Sequence, residues 1–200
     1  MPLDATKAAA WSTALPDWEA RLIEGRSLVP DLPLFKPVAA KALAIFRRLR
    51  VPDMIGKPTF GETAEQWVFD FVAALFGSYD PDTRKRMLRD YFLLIPKKNT
   101  KTTIAAGIMV TALILNERPD AEFLLIAPTQ EVAKTAYSQA KGMIRADAEI
   151  DADHLGGAGG FLKVRDHLKK IEHLVSGAEL KILSADTDVV TGTRATGVLV

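Results

Sequence analysis

Residues 93–115 read LLIPKKNTKTTIAAGIMVTALIL, an apolar run, a knot of lysines and a second apolar run. Pro96 disfavours helix at the residue before it, so Tyr91–Ile95 is expected to be a buried strand. From Lys101 to about Asn116 the apolar residues fall at 104, 105, 108, 109, 112 and 115, which are helical intervals, and the pattern stops before Pro119. A loop between a strand and a helix N-terminus collects unpaired main-chain N–H groups and favours anions. Lys97, Lys98 and Lys101 add fixed cations there. The phosphate-loop pattern GxxxxGK[ST], laid on this stretch, places its lysine at Lys101 and its magnesium-binding hydroxyl at Thr102. Its two glycine positions hold Ile95 and Thr100, where a Cβ limits how closely the backbone approaches a phosphate. Spacing and context leave two readings open, a phosphate loop and a solvated lysine turn.

Outward from this stretch, Glu122–Ala127 (EFLLIA) reads as a second buried strand and Gln130–Ala146 as a second helix. Strand, loop, helix, strand, helix is the order of an α/β domain with a mostly parallel sheet flanked by helices. Upstream, AEQWVFDFVAALFG predicts a helix from about Glu62, with Trp67, Phe71, Ala74 and Leu75 on its apolar stripe and Gly77 at the C-cap. A short helix is expected over Pro81–Asp90, presenting Arg84, Lys85, Arg86 and Arg89 to solvent. Downstream, residues 147–160 are acidic and then glycine-rich, a loop in which Asp151, Asp153 and His154 read as solvated side chains. Ile171–Val175 and Glu179–Leu183 flank Ser176-Gly177 as a hairpin, and Gly197–Val200 begins a further buried strand.

Residues 1–57 carry six of the eleven prolines and two helical patches, Trp18–Glu24 and Val38–Leu49, and read as an N-terminal helical arm on a domain spanning 58–200. The arginines at 47, 48 and 50 complement the dipole at the end of the second patch. With 48 % apolar residues there is ample material for a core. Twenty-six basic against 25 acidic residues leave a net charge of +1, so any electrostatic function is local. Cysteine is absent, which excludes disulfides, thiol catalysis and cysteine metal sites. The N-terminus lacks a signal-type apolar core. Ile104–Leu115 has 12 residues where a membrane span needs about 20, so no membrane role is expected.

IPKKNTKTTIAAGIMVTAL resembles the divergent phosphate loop of the large terminase subunit of tailed bacteriophages, the ATP-driven DNA-packaging motor. GETAEQWVFDFVAALFGSYD is similar to that family's adenine-recognition segment, FLLIAPTQEVAKTAYSQAKGMI to the strand and helix after the loop, and LKILSADTDVVTGTRATGVLV to the approach to its Walker B strand. The resemblance implies a P-loop ATPase fold with ATP and Mg as cofactors. It places Lys101 on the β and γ phosphates and Thr102 on magnesium, as the catalytic pair. Pro96, Lys97, Lys98, Asn99, Thr100 and Thr103 would complete the nucleotide site, Gln66 would hold adenine through an amide that donates and accepts, and Arg194 would touch a phosphate or a neighbouring subunit. It further implies double-stranded phage DNA, a small terminase subunit and a portal protein as partners, a homo-oligomeric ring on the procapsid, and the cytoplasm of a bacterial host. The acidic pair expected after Gly197–Val200 and the family's nuclease domain would lie beyond Val200, so the chain is expected to turn over poorly alone. The alternatives are another helicase-like P-loop ATPase and a non-catalytic nucleotide-binding assembly module.

Overall fold

The structure is a computed structural model that describes residues 12–32, 34–80, 83, 85–154, 159–185 and 195–200. They fall into two compact units, one built from residues up to Leu43 together with Glu65–Phe92, the other from Ala44–Ala64 and Leu93–Val200.

In the first unit, α1 (Trp18–Ile23) is tied down by a buried guanidinium. Arg21 donates to Asp17 at 2.9 Å, to the Ser27 carbonyl at 3.3 Å and to Asp31 at 2.8 Å, which satisfies the charge it buries. Helix α2 (Lys36–Arg48) begins here at Lys36, with Pro37, a residue preset for a first helical turn, next in line. The helix expected from Glu62 is broken. A short α3 (Phe60–Thr63) ends at Ala64, and α4 (Gln66–Gly77) starts afresh after Ala64 and Glu65, both extended. The Glu62 carboxylate accepts from the Thr59 N–H at 2.6 Å and its hydroxyl at 2.8 Å, a capping arrangement that fixes the early start. The restart rotates the apolar face of α4. Val68, Phe69, Val72 and Phe76 are its deepest large residues, whereas Trp67, Phe71 and Leu75 are only half-buried. Gly77 is the last residue of α4 rather than a left-handed cap, and an added Cβ would meet Ala39 Cβ at 2.8 Å, so packing excludes a side chain there.

No helix follows α4 among the described residues between Lys85 and Asp90; Pro81, Asp82 and Arg84 lie outside the described residues. Arg86 instead pairs with Tyr79 in a β-bridge, donates to the Leu75 carbonyl at 2.8 Å and covers the Tyr79 ring. Its charge caps the C-terminal carbonyls of α4. Tyr91 donates to the Ala74 carbonyl at 3.0 Å and bonds the buried Ser78 hydroxyl. Desolvation raises the Tyr91 pKa, as it should for a phenol spent on structure.

The second unit holds a five-stranded sheet in the order β2-β3-β4-β1-β5, formed by β1 (Glu122–Ala127), β2 (Leu162–Arg165), β3 (Lys170–His173), β4 (Glu179–Ser184) and β5 (Gly197–Leu199). β1 is parallel to both its neighbours, with Phe123 opposite Leu180 and Gly197, and all of Phe123–Ala127 is buried. β2, β3 and β4 form an antiparallel meander, with Ile171 opposite Val164 and Leu180. Helices α5 (Lys101–Leu115) and α6 (Gln130–Arg145) pack on each other and on β1 and β4. The Thr129 hydroxyl accepts from the Val132 N–H and starts α6. The expected hairpin is present, turning at Gly177 with φ +71°, where a side chain would also collide with Asp120.

Other expectations are corrected. The segment Tyr91–Ile95 is not a strand, since it joins no ladder among the described residues and leaves Phe92 and Leu94 more than four-fifths exposed. Its alternation of exposed and half-buried residues is strand-like, but a strand exists only where a partner supplies hydrogen bonds. β5 forms as expected, yet Val198 and Val200 are exposed, and among the described residues no strand lies beyond β5. Of the acids after α6, Asp151 is not solvated, whereas Asp153 and Glu149 are exposed, as is His154. Asp151 is 2 % exposed and bonded to Arg145, Asp153 is held by Arg145 and Lys163, and Asp147 and Glu149 bind Arg48. A carboxylate is buried as deeply as Asp151 only where a cation faces it; Arg145 at the end of α6 faces Asp151, while Arg48 at the end of α2 and Lys163 of β2 pair with the more exposed acids around it.

His173 lies 9 % exposed between β3 and the hairpin turn, and its Nδ1 accepts from the Ser176 N–H at 3.2 Å. Burial lowers its pKa below the ordinary value of about 6.5. The unfolded chain therefore binds a proton more readily than the folded one. Stability is complete above pH 6.5 and falls as pH drops from there toward the lowered folded value. Melting temperatures recorded from pH 8 to pH 5 are expected to show this decline in the wild type and a flatter profile in His173→Gln. The carboxylates held low by cations, such as Glu172 beside Lys170 and Asp153 beside Arg145, lose their contribution only at more acid pH.

Candidate nucleotide-binding loop

Lys101 is the first residue of α5, and the exposed turn Lys97–Thr100 leads into it. Two residues of that turn lie in the left-handed region, Lys98 at φ +68° and Thr100 at φ +50°, ψ +26°. Both are unfavourable there, Thr100 the more so because it is β-branched. The Ile104 N–H donates to the Thr100 carbonyl at 3.0 Å and closes the first helical turn. Among the described residues, no acceptor is paired with the main-chain N–H of any residue from Lys97 to Thr103. A helix end ordinarily leaves four such donors, and this loop extends the run upstream.

The carbonyls of the loop are drawn the other way. Lys101 Nζ donates to the carbonyls of Ile95 at 3.1 Å and Pro96 at 2.9 Å, and Asn99 Nδ2 donates to Pro96 at 3.4 Å. The first turn of α5 contains no acidic residue to compete with an anion. Donors, helix dipole and the cations Lys97, Lys98 and Lys101 therefore act with one sign at one place. Thr102 is half-buried and Thr103 is 5 % exposed, so Thr102 is the better placed of the two to meet a ligand.

The structure thus brings Pro96, Lys97, Lys98, Asn99, Thr100, Lys101, Thr102 and Thr103 into one loop and helix start. Gln66 is the first residue of α4, in the other unit, exposed, with Nε2 donating to Asp70 at 2.7 Å. Arg194 lies outside the described residues. Sequence reasoning did not foresee Ile95 as an acceptor for Lys101, since a main-chain carbonyl leaves no mark in residue type. Among the described residues no group of three acidic or histidine side chains could hold a metal, and no helix is long and apolar enough to cross a membrane.

Residues 66–200 match the family model described as the terminase large subunit, ATPase domain. Among solved structures, the crystal structure of the large terminase of bacteriophage HK97 is similar, with a TM-score of 0.56 and 23 % identity. That likeness, at this identity, is one of fold. It covers 74 % of this chain and 28 % of the other, so this chain spans under a third of that structure's length. No curated protein matches.

Proposed function

We propose, from the premise that this chain belongs to the terminase large subunit ATPase domain family, that its loop from Ile95 to Thr103 binds the triphosphate of ATP with magnesium. The observation that carries this is the run of unpaired N–H groups from Lys97 to Thr103, set among three lysines at the start of α5. Lys101 would exchange its two carbonyls for the β and γ phosphates, and Lys97 or Lys98 would neutralise further charge. Magnesium keeps several of its waters and is commonly held by one or two protein groups together with substrate phosphates. A single hydroxyl, Thr102, suits such an ion, and no preformed cage is required. Gln66 would read adenine after giving up Asp70, and Arg194 would reach a phosphate or a neighbouring subunit.

In the whole motor, hydrolysis at this site would drive double-stranded DNA into a procapsid, within a ring that meets a portal protein and a small terminase subunit in the bacterial cytoplasm. Phosphoryl transfer needs chiefly positioning and charge neutralisation, which is what this loop offers. The test is a titration of the purified protein with a fluorescent ATP analogue in the presence of magnesium. Lys101→Ala is expected to weaken binding at least tenfold, and Thr102→Ala to reduce the gain in affinity that magnesium gives. Equal affinity in Lys101→Ala and wild type would overturn the proposal.

A further inference from the structure

We propose that Met54 and Ile55, at the tip of the loop between α2 and α3, form a docking knob that seats in an apolar cleft on a second copy of this chain. Knob and cleft belong to the same unit, so each copy offers both. The loop is built to hold its tip outward. The Val51 N–H donates to the Pro58 carbonyl at 2.8 Å, the Lys57 N–H donates to the Met54 carbonyl at 2.9 Å, and Arg50 donates to the Lys57 carbonyl at 3.0 Å. Gly56 and Lys57 take positive φ to make the bend. The base is fixed on α6, where Gln139 donates to Asp53 at 3.1 Å and Pro52 lies so close that a Cβ on Gly142 would come within 2.5 Å of it. Even so, Ile55 is fully exposed and Met54 is 45 % exposed. A scattered exposed apolar residue calls for no explanation, whereas two at the tip of a loop clamped at its base present a fixed apolar surface.

The cleft that suits this tip has a volume of about 180 Å³ and walls of Ile45, Leu49, Ile114, Ile150 and Phe161. A cavity of about 150 Å³ with such a lining takes up a benzene-sized group, so a branched four-carbon side chain fits. Charges match as well as size. Arg48, Asp147 and Glu149 at the cleft set two acids against one cation, whereas Arg50, Asp53 and Lys57 on the loop set two cations against one acid. An apolar anchor in a pocket with a complementary polar rim is the usual core of a protein contact. Ile55 is exposed although a cleft of this kind lies on its own chain, and the pairing of Val51 with Pro58 keeps the tip from folding back into it. The occupant is therefore another copy. This contact would serve the ring proposed above, and it stands whether or not the loop before α5 binds nucleotide.

One anchor buries far less than the roughly 1,200 Å² of a stable interface, so the contact is weak and is best trapped covalently. The chain has no cysteine, so each introduced thiol is unique. Met54→Cys, which leaves Ile55 in place, is mixed with isotope-labelled Ile114→Cys and a short bis-maleimide, and mixed dimers are counted by mass spectrometry. They are expected to form at least tenfold faster than those between Ile114→Cys and Val175→Cys, a thiol placed at the exposed hairpin tip. If Ile114→Cys does not fold, Ile45→Cys, also half-buried in the wall, takes its place. Adding Ile55→Asp to Met54→Cys should remove the excess rate and leave the melting temperature unchanged. Lys57→Glu on the one partner should slow the reaction several-fold, and Glu149→Lys on the other should restore it. A rate no greater than that of the Val175→Cys control, or one that Ile55→Asp leaves unchanged, would overturn the proposal. Ile55→Asp should bind the ATP analogue as wild type does, so the failure of either reading is seen separately from the other.

Discussion

Phe46→Ala is expected to destabilise the protein by about 3 to 5 kcal/mol, the usual cost of removing a fully buried aromatic ring. Phe46 is 0 % exposed, and its ring stacks on Phe60 with centroids 4.4 Å apart. Both ring edges face Gly107 of α5, where an added Cβ would come within 2.9 Å of each. The three residues form one close contact beneath the helix that begins at Lys101. A single domain of this size is stable by roughly 5 to 15 kcal/mol, so the loss is a large fraction of the whole. Denaturant unfolding should show the midpoint falling with little change in slope. The same contact sets the sign at Gly107. Helix propensity alone favours alanine over glycine by about 1 kcal/mol, yet overpacking a tight core costs about 1 to 3 kcal/mol, so Gly107→Ala should be destabilising overall. With Phe46→Leu removing one of the two close rings and giving Phe60 room to shift, the same change should cost less than it does in the wild type. Additive effects of the two substitutions would show that the rings do not confine α5.

How far such contacts can be read in advance depends on whether their cause is local. α5, β1 and α6 were legible because each is an apolar run of the right length and period, and Thr129 marks the start of α6 as a cap should. The turn at Gly177 was legible because glycine is the residue that a positive φ asks for. By contrast β2 went unforeseen, being four residues in which apolar and basic side chains alternate, and it forms because β3 lies beside it. Tyr91–Ile95 has the composition of a strand and no pairing strand among the described residues. Pairing is a long-range property that composition does not carry. The Thr59/Glu62 cap was readable from its spacing, but the break at Ala64 and Glu65 lacks the usual glycine or proline. Within the candidate site, the lysines and Thr102 announced themselves by type and position. The left-handed turns at Lys98 and Thr100 did not, since neither residue type favours that conformation.

Arg145→Met should cost about 2 to 4 kcal/mol, because it strands a carboxylate that the fold has already buried. Asp151 lies 2 % exposed, bridged to Leu162, and Arg145 grips it with Nη1 at 2.7 and 3.0 Å. The other guanidinium nitrogen holds Asp153 at 3.0 Å, whose own N–H returns to Asp151 at 3.1 Å. Breaking one partner of a buried pair typically costs 3 to 5 kcal/mol. The lower range applies here because the Arg145 side chain is 34 % exposed and water can reach part of the gap. Asp151→Asn removes the charge and keeps the shape, so it should cost less than Arg145→Met. The double variant should be more stable than Arg145→Met alone, since the charge that lacked a partner is gone. A coupling of more than about 1 kcal/mol from the four unfolding curves would establish the pair as a joint element. Independent, additive losses would mean that Asp151 draws its compensation from the main-chain N–H of Asp153 rather than from Arg145. The acids after α6 would then be held by backbone geometry, and the basic end of that helix would serve only its dipole.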